Sequence, residues 1–189
     1  MFFSIVHQPS FELRLKQFFD APESSPADPG WYALRHTVYA CGKRKLLKDA
    51  SVADFKETHS SAFPYFANAL ARHTEMIYYK SSMTAVQALA AMVGREVDKF
   101  CGRSLSAYCS CAEPNQAHYA QAIGAPTIEY ALQSNAMRLA QSKALHRKVP
   151  HSAGLSQFEI QQRSLLFWSM YVHEKHIAHW SGRPSVRRF

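Results

Sequence analysis

The amino-acid sequence predicts an all-α domain of about six helices. Apolar residues recur at intervals of three and four in one segment after another, the period of a helix face and not of a strand. No convincing run of apolar–polar alternation is present. Boundary signals also bracket the most apolar segment, with a capping box opening at Ser156 and a Gly182-Arg183-Pro184 stop closing it.

The elements follow in order. Phe11 to Phe19 reads as a short helix, with Phe11, Leu15, Phe18 and Phe19 on one side. Pro22 to Gly30, with three prolines and a glycine, reads as a loop. Trp31 to Leu47 is expected to be helical on the stripe Trp31, Leu34, Val38 and Cys41. Asp54 to Ile77 reads as a helix or pair broken near Pro64, with Phe55, His59, Phe66, Ala69, Leu70 and His73 roughly in period. Thr84 to Val93 is apolar almost all round and should be buried. Residues 94–122 show no period. Thr127 to His146 follows Pro126, carries Ile128, Leu132, Ala136 and Leu139 in register, and has Glu129 at the positive end of its dipole. The last helix opens on Ser156 and Glu159 as a capping box, with Leu155 and Ile160 as a candidate staple. Apolar residues cover almost every side of it, so it is expected to run through the centre. Gly182 is suited to a left-handed cap, and Pro184 forbids return.

A chain of 189 residues with 47% apolar and 19% charged residues can bury a substantial core. No run approaches the ~18 apolar residues of a membrane helix, and no basic segment precedes the apolar start as in a secretory signal. Cys41, Cys101, Cys109 and Cys111 show no C-x-x-C spacing and read as thiols of a reducing compartment. The net charge of +8 is uneven: residues 138–189 hold nine bases against two acids. These bases fall at helical spacing and read as solvated faces more than as a nucleic-acid patch.

No catalytic constellation emerges. His173, His176 and His179 recur every three residues, so they drift around their helix. The string His173-Glu174-Lys175-His176 lacks the four-residue spacing of a zinc-binding pair. There is no phosphate-cradling glycine loop and no nucleophile elbow, nothing positions Cys111 with His118, and acids are few and scattered. The residues alone describe a basic helical domain without enzymatic chemistry.

Three ordered motifs take the reading further. Asn135-Ala136-Met137-Arg138-Leu139-Ala140-Gln141-Ser142-Lys143-Ala144-Leu145-His146-Arg147 resembles the A-x-R-L-A-Q-x-x-G-L-H-R signature of the fungal-specific transcription factor domain, or middle homology region. Leu155-Ser156, Glu159, Arg163, Leu166-Phe167-Trp168 and Tyr171 resemble its L-S-x-x-E-x-x-x-R-x-x-L-F-W-x-x-Y motif, and Gly182-Arg183-Pro184 its G-R-P. Weaker matches lie at His7 to Phe11, along Trp31, Leu34, Val38, Ala40 and Gly42, and at Ser82 to Leu89.

This resemblance implies an all-helical regulatory region of a nuclear transcription factor. DNA would be read by a separate cluster of six cysteines holding two zinc ions, which is absent from these 189 residues. It implies no cofactor in this chain. The implied partners are a second copy, transcriptional co-regulators or a small-molecule effector, with no membrane. Arg138, Arg147, Arg163 and Arg183 are expected to anchor helix ends and contacts, and Leu139, Phe167, Trp168 and Tyr171 to form core.

Two departures from the family pattern carry expectations. Residues 94–121 interrupt it and read as an insertion in an otherwise single domain, and beyond Pro184 the family pattern continues with further helices. The chain is therefore expected to be an incomplete version of a larger helical domain with apolar surface exposed near Trp168. The rival readings are a truncated fragment without activity and a small helical ligand-binding protein, with an enzyme last.

Overall fold

The structure, a computed structural model, describes residues 5–21, 28–49, 55–93, 126–150 and 153–186. Among the described residues there are six α-helices, a short π-helix and no strand. The expected insertion at 94–121 lies outside the described residues, as do Cys101, Cys109, Cys111 and His118.

Helix α1, Gln8–Asp20, is capped by His7, whose ring faces the Ser10 N–H at 3.4 Å and the Ser10 hydroxyl at 2.7 Å. Phe11 is buried, Leu15 and Phe18 are partly buried, and Phe19 is exposed, so one expected member of the stripe falls outside it. Helix α2, Pro29–Asp49, buries Trp31, Leu34, Val38 and Cys41, the stripe the spacing predicts. It begins earlier than the loop reading of Pro22 to Gly30 allows. Proline is favoured in a first helical turn, where its missing N–H would lack a partner anyway, and the Asp28 carboxylate accepts the Gly30 N–H at 3.0 Å.

Helix α3, Phe55–Leu70, passes straight through Pro64, contrary to the break expected there. Pro64 lies on the exposed side, while Ala62, Phe66 and Ala69 are buried. Packing of that face on α2 outweighs the one lost backbone bond. The break falls instead at Ala71-Arg72, followed by the π-helix Glu75–Tyr79, closed by the Lys80 N–H on the Glu75 carbonyl at 2.9 Å.

Helix α4, Met83–Val93, is the centre of the molecule. Ala85, Val86 and the six residues from Ala88 to Val93 are all buried, as its all-round apolarity predicts. It packs between α2 on one side and α5, Pro126–Ser142, on the other. Helix α4 comes close to α2 at Gly30, where a Cβ would stand 2.6 Å from the Ala85 nitrogen.

Helix α5 ends at Ser142, a turn short of the expected His146. Its end is a Schellman closure, with the Leu145 N–H on the Ala140 carbonyl (3.0 Å) and the Ala144 N–H on the Gln141 carbonyl (2.9 Å). That motif needs a left-handed residue, and Ala144 takes it at φ 54°. The family signature has glycine at this position, so the alanine carries strain that the signature residue would avoid.

Helix α6, Gln157–Ser181, has the predicted capping box: the Ser156 hydroxyl oxygen accepts the Glu159 N–H, and the Glu159 carboxylate accepts the Ser156 N–H at 2.8 Å. Gly182 closes it at φ 63°. The helix is not central. It lies along α5 and buries Leu166, Phe167, Met170, Glu174 and Ile177, while Trp168, Val172 and Trp180 are 50%, 59% and 78% exposed. Apolar content alone did not reveal that the side bearing Trp168, Val172 and Trp180 is largely exposed.

Candidate functional site

The residues of the three motifs converge on the α5–α6 pair. Helix α5 carries two adjacent buried stripes. One is the apolar set through Leu132, Ala136 and Leu139. The other, Glu129, Gln133, Met137 and Ala140, starts polar. Both polar members face α6. The Gln133 amide donates to the Met170 carbonyl at 2.6 Å, and Glu129 lies 4.0 Å from the His173 ring nitrogen. Burial pushes the Glu129 carboxyl above its usual range. On the far side of α5, the Asn135 amide faces His73 at 3.1 Å, and burial holds that imidazole below its usual value.

Each end of the pair is tied by a motif arginine. Arg163 donates from Nη2 to the Lys143 carbonyl at 3.2 Å, just past the end of α5. Arg183 reaches Thr127 at 3.5 Å and lies 4.9 Å over the Tyr130 ring, whose hydroxyl donates to the Pro184 carbonyl at 2.9 Å. The segment after Gly182 thus folds back onto the start of α5. Buried Glu174 fixes it there, accepting the Val186 N–H at 2.7 Å and the Ser185 hydroxyl at 3.0 Å. Lys175 donates to Ser185 at 2.6 Å and stands 3.8 Å from Glu174.

The other motif residues divide between core and surface. Leu139, Ala140 and Phe167 are buried, Tyr171 is partly buried, and Gln141 offers only its carbonyl to the Schellman closure. The His146 ring stands 5.8 Å from Phe167. Trp168 is half exposed, against the expectation of core, because its side of α6 faces away from α5. Arg138 and Arg147 are exposed, so they are solvated cations instead of the expected anchors. His173 faces Glu129 while His176 and His179 are exposed, and no cluster of metal-binding side chains occurs among the described residues. No helix among them is long and apolar enough to cross a membrane.

An open groove of about 360 Å³ lies where the first two turns of α1, α2, α4 and α6 meet. Phe11, Trp31, Leu34, Met83 and Phe158 give it apolar walls, and Arg14, Gln87, Gln162 and Arg163 give it polar groups. Arg14 binds the walls together: it donates to Asp28 at 3.0 Å and Thr84 at 3.3 Å, and lies 4.5 Å over the Trp31 ring. Sequence reasoning missed this groove, as well as the roles of Gln133 and Glu174. Gln133 had one usable signal, its place four residues after Glu129 on a face that continues with Met137 and Ala140.

Nearly the whole chain aligns with known proteins of one kind. Two relatives, from Aspergillus oryzae and Aspergillus fumigatus, are each named an ABC-transporter-regulating transcription factor. Each is 28% identical over 186 residues, covering 98% of this chain and 17% of the relative. The chain thus spans about a sixth of the length of these relatives. No solved structure matches. Residues 1–188 match the fungal specific transcription factor domain, which also accounts for the motifs meeting at α5 and α6, and the chain belongs to that family.

Proposed function

We propose that the chain is the regulatory middle region of a longer nuclear transcription factor acting on RNA polymerase II genes. It is non-enzymatic and carries no cofactor of its own. DNA is read by a separate zinc cluster of six cysteines. The helical region tunes the activator through a second copy, co-regulators or a small-molecule effector. The observation that carries this reading is the family match over residues 1–188, with all three motifs built into one α5–α6 unit. The names of the two relatives make ABC-transporter genes the first targets to examine.

Sequencing the full transcript of the locus tests the reading. The expected result is a six-cysteine cluster encoded in the same frame as this domain. A transcript that encodes no such cluster would remove DNA reading from the account and leave a domain that acts only through partners.

A further inference from the structure

We propose that the groove at the starts of α1, α2, α4 and α6 binds a small apolar carboxylate, a flat ring system carrying one acid group. As a regulatory device this rests on the function proposed above; as a binding site it stands on the geometry alone.

The volume of about 360 Å³ falls within the size range of small-molecule sites, and its walls are mainly aromatic and aliphatic. The charges in the groove are unequal in their commitments. Arg14 is matched by Asp28 at 3.0 Å. The Glu159 carboxylate, which also lines the groove, is engaged through Oε2 by the Ser156 N–H and hydroxyl, both at 2.8 Å. Arg163 has no carboxylate partner among the described residues. Its Nη2 reaches only a backbone carbonyl, and its buried Nε has no hydrogen-bond partner there.

A second groove residue, Trp31, is 3% exposed, and its indole N–H also has no acceptor among the described residues. Both orphaned groups are donors on side chains that line the groove and both atoms are closed to solvent, so an acceptor-bearing ligand suits this lining better than a donor-bearing one. A guanidinium without a carboxylate partner favours an acid over a neutral ligand. Phe11, Trp31 and Phe158 favour a planar ring over a flexible chain.

The test uses the 189-residue chain with 2-naphthoate as the probe, and 2-naphthylmethanol and octanoate as controls, read by titration calorimetry. The expected result is naphthoate binding about tenfold or more tighter than either control. Arg163→Gln should abolish the preference for the acid over the alcohol, Arg163→Lys should restore part of it, and Gln162→Trp should block both ring compounds by filling the groove. Helicity and melting temperature of each variant establish that it is folded. Equal binding of acid and alcohol, octanoate binding as tightly as naphthoate, no binding at millimolar probe, or naphthoate binding unchanged in folded Arg163→Gln or Gln162→Trp would each overturn the proposal. Binding without any effect of naphthoate on a transcriptional reporter would overturn the regulatory reading and leave the site standing.

Discussion

Replacing Gly30 by alanine sets two opposed effects against each other. Gly30 is in the first turn of α2, where alanine is the better helix former by up to ~1 kcal/mol, and less so near a helix end. The packing term has the other sign. The added Cβ would stand 2.6 Å from the Ala85 nitrogen, 2.9 Å from its Cα and 3.0 Å from the Thr84 carbonyl carbon. Ordinary contact needs about 3.5–4 Å, so α2 and α4 must part by close to an ångström. The obstructing atoms are backbone and cannot rotate aside. Overpacking of this kind costs about 1–3 kcal/mol, so packing wins by roughly 1–2 kcal/mol net. For a domain of this size each kcal/mol moves Tm by ~2–4 °C. Calorimetry on Gly30→Ala should therefore show Tm lowered by about 2–8 °C. The groove should loosen too, because Thr84 and Trp31 form its walls. A Tm equal to or above that of the parent would refute the close α2–α4 approach and the central position of α4 that follows from it.

Three further outcomes are expected. Ala144→Gly should stabilise by ~1 kcal/mol, read as a raised Tm, because glycine adopts φ 54° without the Cβ penalty; an unchanged or lowered Tm would count against the left-handed turn. Glu174→Ala should cost ~2–3 kcal/mol by stripping the buried acceptor from Val186 and Ser185, and should open residues 182–186 to limited proteolysis; unchanged cleavage would mean that the segment is not held there. Stability should fall on mild acidification. Burial holds His36 and His73 below their ordinary 6.5, with Arg35 adding to the effect at His36, so the unfolded chain takes up protons first. That contribution is complete above pH 6.5 and is lost as pH falls through 6.5 toward the lower folded values. Glu129, raised by burial, opposes the trend, because its penalty fades as pH falls through its folded value toward 4.5. Denaturant midpoints between pH 8 and pH 5.5 should decline in the parent and flatten in His36→Gln/His73→Gln; equal slopes would contradict the assignment.

The sequence was most legible where a local rule and the packing agree. Apolarity on every side of α4 meant burial, and Ser156 with Glu159 marked the start of α6 to the residue. It was least legible where packing overrides a local rule. Pro64 reads as a break, but the face carrying Ala62, Phe66 and Ala69 holds α3 together. The apolar wealth of α6 reads as centrality, but the share borne by Trp168, Val172 and Trp180 faces outward. The motifs located the α5–α6 unit without showing that buried Gln133 and Glu174 hold it, because a buried polar residue looks like a surface one until its partner is known. The groove had no local signal at all. It is assembled from helix starts spread along the chain between Val6 and Arg163, and only the folded arrangement brings Phe11, Trp31, Met83 and Arg163 together.

The proposed function requires that this helical unit control the output of a transcription activator. The most direct measurement joins residues 1–189 between a heterologous DNA-binding domain and an activation domain in a fungal host, with expression from the matching reporter as the readout. Output should change several-fold relative to an inert linker of equal length at equal protein level, and Gly30→Ala should remove part of that change. Output indistinguishable from the inert linker, with the fused domain folded, would contradict it.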